Sequence, residues 1–158
     1  MDIENLSAES KVWIYQSKRK LDESEMLEIQ HRAEEFIHNW AAHGSALKAS
    51  FRIIYDRFLV LLADETQMKA SGCSIDASVH FFKSLEADFQ LELFDRLEVA
   101  FQEDGVVKSM PLNEFQKQLQ EGYFSEDTIV FNNLINTKSE LDSKWEVPLK
   151  ESWHRQLL

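Results

Sequence analysis

The sequence predicts an α+β fold, and three observations carry that expectation. Apolar residues change between helical and strand periods in the order β-α-β-β-α-β through residue 103. The composition is that of a packed core. Of 158 residues 44% are hydrophobic and 11 are Phe, against 4 Gly and 2 Pro, which argues against disorder and against a loop-rich scaffold. Cys73 is the only cysteine, so neither an internal disulfide nor a cysteine-based zinc site within one chain can substitute for that core.

Each element has its own signal. Residues 1–10 are polar and are expected to fray. Val12-Trp13-Ile14-Tyr15 is β-branched and aromatic, a strand. Asp22 stands three residues before Glu25, a capping-box-like start. Met26, Ile29, Ala33, Phe36, Ile37 and Trp40 follow at helical spacing. Gly44 is the natural stop, and His43 beside it would complement the helix dipole. Phe51, Ile53 and Tyr55 then alternate with Arg52, Ile54 and Asp56, predicting a strand and a turn near Asp56-Arg57. The continuous run Phe58–Leu62 predicts a central strand buried on both faces.

After a polar loop, Ser74 reads as an N-cap with Asp76 in the first turn. Ile75, Val79, Phe82, Leu85 and Phe89 form the apolar stripe of a second helix. Leu97–Phe101 alternates as a strand, and Glu103-Asp104-Gly105 turns it back into Val106–Lys108. Pro111 can open a third helix bearing Leu112, Phe115 and Leu119, with Gly122 at its end. Thr128–Phe131 is a short strand, and helices are expected at 138–143 and around 149–156. The order is the split-βαβ, ferredoxin-like pattern over residues 1–95, with a β-α-β extension over 96–158. The crossover rule is taken to make the first and third strands parallel neighbours.

Charge narrows the function. The net charge is −11 and Lys18-Arg19-Lys20 is the only basic cluster, so nucleic acid and anionic membranes are unfavourable partners. The longest apolar run, Phe58–Ala63, is far short of the ~20 residues of a membrane helix. The acidic N-terminus lacks the apolar segment of a secretory signal, so a cytoplasmic protein is expected.

The stretches Trp40–Phe51, Ala70–Ser78 and Ile129–Asn133 resemble an uncharacterised bacterial family whose members often carry the label ABC transporter ATPase. Such an ATPase needs Gly-x-x-x-x-Gly-Lys-Ser/Thr, whose backbone N–H groups and lysine cradle phosphates. This chain has 4 glycines and none in such a run, so ATPase activity is not expected. From Phe101 to Phe131, the order strand, turn, strand, helix, Gly122-Tyr123-Phe124 resembles a GYF-type peptide-binding module. That resemblance implies docking of proline-rich peptides in an aromatic groove. Lys108, Ser109 and Met110 stand where such modules carry Gly-Pro-Phe, and Gln118 stands where they carry Trp. The candidate interaction surface is an apolar groove of Phe124, Phe131, Trp145 and Trp153.

A second candidate site follows from the expected sheet. Parallel first and third strands would bring Ser17, Lys18 and Arg19 beside Asp64, Glu65, Cys73, Ser74 and Asp76, at the carboxyl edge where α/β sheets bind ligands. Three chemistries are open there. Cys73 near a helix N-terminus could act as a thiolate, or simply pack the loop. Asp64, Glu65 and Asp76 could hold Mg²⁺, or cap and solvate a strand end. The helix start at Ser74 with Lys18 or Arg19 could hold an anion, or be a plain capped helix. The five histidines form neither His-x-x-x-His nor His-Glu-x-x-His. Asn132-Asn133 could turn the chain or present amides to a ligand. No cofactor is expected. The leading expectation is a non-catalytic binding or interaction protein with a protein or peptide partner. The alternative is a small enzyme or a small-molecule or anion binder at the Cys73 edge.

Overall fold

The computed structural model describes residues 3–42, 44–66 and 68–158. His43, assigned above to a helix dipole, lies outside the described residues. The fold is α+β with antiparallel sheets. It divides into two compact units, one ending at Phe94 and one spanning Asp95–Leu158. Among the described residues no helix is long and apolar enough to cross a membrane.

The first unit opens with a 3-10 turn, Ile3–Asn5, followed by β1 (Lys11–Gln16) and α1 (Glu23–Asn39). The two-residue strands β2 (Ala41–Ala42) and β3 (Ser45–Ala46) lead into β4 (Lys48–Ile54), β5 (Phe58–Asp64) and α2 (Gly72–Phe89). α1 begins where the sequence predicts. Asp22 Oδ1 accepts from the Glu25 N–H at 2.8 Å, and Glu25 Oε1 accepts from the Asp22 N–H at 3.0 Å, a reciprocal capping box. The β4–β5 turn holds Tyr55 and Asp56 at φ 54° and 57°, the left-handed pair of a type I′ turn.

β5 is the centre of a sheet ordered β1-β5-β4, and all seven of its residues are buried. Alternation sends its side chains to both faces. Leu59, Leu61 and Ala63 pack with Ile29, Ala33, Phe82 and Leu85 under the helices, while Phe58, Val60 and Leu62 are buried on the opposite face. This is the physical content of the unbroken apolar run.

Two expectations are corrected. β1 and β5 are neighbours, but antiparallel: Lys11 faces Ala63 and Gln16 faces Phe58. The handedness rule governs strands joined by a crossover. In this sheet those are β1 and β4, which run the same way on either side of β5. The fourth strand of the expected sheet, β6 (Glu98–Glu103), pairs in the second unit. The N-cap of α2 is also shifted, to Ser71. Its Oγ accepts from the Ser74 N–H at 3.1 Å, and Ser74 Oγ accepts from the Ser71 N–H at 2.6 Å.

The second unit continues with β7 (Val106–Pro111), α3 (Leu112–Gln120), β8 (Ile129–Phe131), α4 (Lys138–Ser143) and β9 (Glu146–Pro148). Two 3-10 turns, Leu149–Glu151 and Trp153–Leu157, replace the expected terminal helix. The sheet order is β7-β6-β8-β9. Val99, Phe101, Phe115, Leu119, Phe124, Val130 and Leu149 form a core of its own.

Candidate functional site

The antiparallel β1–β5 pair separates the residues that the expected sheet edge would gather. The loop after β1 lies beside the β4–β5 turn, where the Ser17 N–H donates to the Arg57 carbonyl at 2.8 Å. Lys18 Nζ pairs with Glu92 at 2.6 Å. Arg19 grips Glu25 with two parallel bonds of 2.8 and 2.6 Å. It also donates to the carbonyl of Phe89, the last residue of α2, at 2.7 Å. The Arg19 hydrogen bond, followed by the Asp22 N–H, holds the Glu25 carboxyl down at about 2. Arg19 therefore caps the C-terminal end of α2. Cys73, Ser74 and Asp76 occupy its first turns, about 20–24 Å away at 1.5 Å per residue. Lys18 and Arg19 do not meet Ser74 or Asp76, and the anion site is not assembled.

The remaining edge residues close loops. Asp64 accepts from the Ser7 N–H at 3.1 Å and from the Thr66 N–H and hydroxyl at 3.0 and 2.6 Å. The Thr66 bonds are the chief reason its carboxyl lies below the usual range. Glu65 Oε2 accepts from the Ala70 N–H at 2.6 Å, and Asp76 is exposed. Among the described residues no cluster of three or more His, Cys, Asp or Glu could hold a metal. Cys73 is exposed, and His80 follows about 10 Å further along α2, beyond direct proton transfer.

The expected aromatic groove is also rearranged. Phe124, Phe131 and Trp145 are buried. Phe124 stacks on Phe115 at 4.6 Å between centroids and meets Phe101 edge-on at 4.8 Å. Phe131 packs on Trp145 at 4.9 Å, and the Trp145 indole N–H donates to Asn133 Oδ1 at 2.9 Å. Asn132 Oδ1 accepts from the Leu134 N–H at 3.1 Å, so the Asn pair serves the turn. The physical reason is size: a unit of roughly 60 residues buries only about 60% of its surface and needs its largest side chains inside. Trp153 is half-buried and stacks on His154 at 4.0 Å.

What the unit does display is Tyr123. α3 ends in a Schellman motif. The Tyr123 N–H donates to the Gln118 carbonyl at 2.9 Å, and the Gly122 N–H donates to the Leu119 carbonyl at 3.2 Å. Gly122 sits at φ 87°, a left-handed position that favours glycine. The chain then sends Phe124 into the core and leaves Tyr123 79% exposed. Exposed Glu121, Glu126 and Asp127 flank it, Asp127 also pairing with Lys150 at 2.8 Å. Sequence reasoning placed Phe124 on the surface; the structure buries Phe124 and exposes Tyr123.

A second pair was missed. Ser152 and His154 are both buried, with Ser152 Oγ 2.6 Å from His154 Nδ1. Burial pushes the imidazole down to about 4. Nothing in the terminal sequence signals that burial, and the pair locks the last 3-10 turn rather than facing solvent. No protein-family model, curated protein or solved structure matches this chain.

Proposed function

We propose that the chain is a cytoplasmic, non-catalytic binding protein whose second unit docks a segment of another protein at Tyr123. The observation that carries this reading is a large aromatic side chain, 79% exposed, on a rigid mount. A helix cap lies before it and the buried Phe124 after it. Aromatic side chains fixed in this way bind with little loss of conformational freedom. The order of β6, β7, α3, Gly122-Tyr123-Phe124 and β8 supports a GYF-type module with an altered groove. Burial of Phe124 and Phe131 moves the contact from a groove to the Tyr123 surface. The carboxylates around it favour an extended peptide carrying Arg or Lys, through charge and cation–π contact. An exposed, unbridged Cys73 accords with a reducing compartment.

The test is an NMR titration of the full chain with an arginine-flanked proline-rich peptide, beside a pull-down at physiological salt. The amides of Glu121–Ser125 should shift, and Tyr123→Ala should weaken binding about tenfold. A pull-down that recovers no protein partner, with those amides unmoved by the peptide, would remove the proposal.

A further inference from the structure

The C-terminal segment of the second unit runs along the loop that follows Tyr123. The Ser125–Thr128 turn is closed on itself. The Thr128 N–H donates to the Ser125 carbonyl at 3.2 Å, the Ser125 N–H to Thr128 Oγ1 at 2.9 Å and the Asp127 N–H to Ser125 Oγ at 3.1 Å. Two backbone bonds tie the C-terminal segment to this turn. The Leu149 N–H donates to the Thr128 carbonyl at 2.8 Å and the Lys150 N–H to the Glu126 carbonyl at 3.0 Å. Leu149 is fully buried in the second core. The backbone of Lys150 is thus fixed against the turn, and its ammonium rests on Asp127 Oδ1 at 2.8 Å. Among the described residues, Asp127 is the one of the three carboxylates flanking Tyr123 that holds a cation in an ion pair.

On the reading that Tyr123 docks a cationic peptide, on which this step rests, we infer that Lys150 is an internal competitor for that peptide. It occupies Asp127, the carboxylate that receives the peptide's Arg or Lys. The Lys150 ammonium is the same chemistry that a lysine of the partner would present. The reach fits. Asp127 lies four residues beyond Tyr123, at most about 14 Å of chain, and an extended peptide covers that span in about four residues. The strength fits as well. The two side chains of the pair are 50% and 71% exposed, so the contact is weak enough to yield. An arginine brings a planar two-pronged donor that an ammonium lacks, so it displaces Lys150 more readily than a lysine does. Asp127, by hydrogen bond and then by charge, raises the Lys150 pKa above its ordinary value, with Glu126 and Glu151 adding, so the competitor is cationic at neutral pH. The backbone bonds of Leu149 and Lys150 do not involve the ammonium. The segment therefore stays in place when the side chain lets go.

The experiment titrates the full chain with the arginine-flanked proline-rich peptide and follows the amides of Glu121–Ser125 by NMR. Four proteins are compared: the parent, Lys150→Met, Asp127→Asn and the double variant. Lys150→Met should tighten the peptide about threefold, the order of an exposed ion pair. The same change on top of Asp127→Asn should alter nothing, because no carboxylate is left to compete for. An equal gain in both backgrounds would mark a general charge effect and overturn the inference. Unchanged or weaker binding in Lys150→Met, with the Glu121–Ser125 amides still shifting, would overturn it too and leave docking at Tyr123 intact. Amides unmoved in all four proteins would remove the docking and the competition together.

Discussion

His154 shows how burial converts a titratable residue into a stability switch. Its neutral ring is favoured in the fold and its pKa falls from 6.5 to about 4. A depressed folded value means the stabilisation is fully present above pH 6.5 and is lost as pH falls toward 4. The loss approaches about 3 kcal/mol at pH 4. Urea unfolding of the parent and of His154→Gln at pH 7 and pH 4 isolates it, because every other titratable group is common to both proteins. An unchanged difference between the two proteins at the two pH values would show that the ring is not desolvated. Asp56 offers the opposite case. It holds φ 57° without being glycine, at a position a type I′ turn prefers to give to glycine. Asp56→Gly should stabilise the protein by about 0.5–1 kcal/mol, read as a shifted urea midpoint with unchanged slope.

Elements differ in how much of their stability is local. The capping box of α1 and the αL termination of α3 are short-range, and both were legible, because Asp22, Glu25 and Gly122 act on neighbours a few residues away. Gly122→Ala meets no atom within 4 Å, so its cost is backbone strain alone, about 1 kcal/mol, with Tyr123 less firmly mounted. Strand direction was not legible. Alternation in Trp13–Tyr15 and the unbroken run in β5 say which faces are buried, but not whether the partner runs up or down. The expected sheet-edge site rested on that direction and dispersed with it. The aromatic surface failed for a related reason: Phe124, Phe131 and Trp145 are as apolar in a core as in a groove. Phe115, fully buried against Phe101 and Phe124, is the hub of the second core. Phe115→Ala should cost about 3–5 kcal/mol in chemical denaturation.

At the scale of the whole molecule, protection should follow sheet position. β5 is paired on both sides and its residues are buried on both faces, whereas β1 and β4 each leave one side of their backbone unpaired within the sheet. Native-state hydrogen exchange should therefore leave the amides of Leu59–Leu62 among the slowest in the first unit. Faster exchange there than in β1 would contradict the central placement.

The lone thiol at the start of α2 also makes the chain its own reporter. Cys73 is exposed, and the indole N–H of Trp40 donates to the backbone carbonyl of Ser74, the very next residue, at 2.7 Å. A maleimide dye would attach at one place without mutagenesis, within a helical turn of an electron-rich ring. Its emission should be quenched in the native protein and should brighten as α2 separates from Trp40, giving an optical readout of the first unit alone.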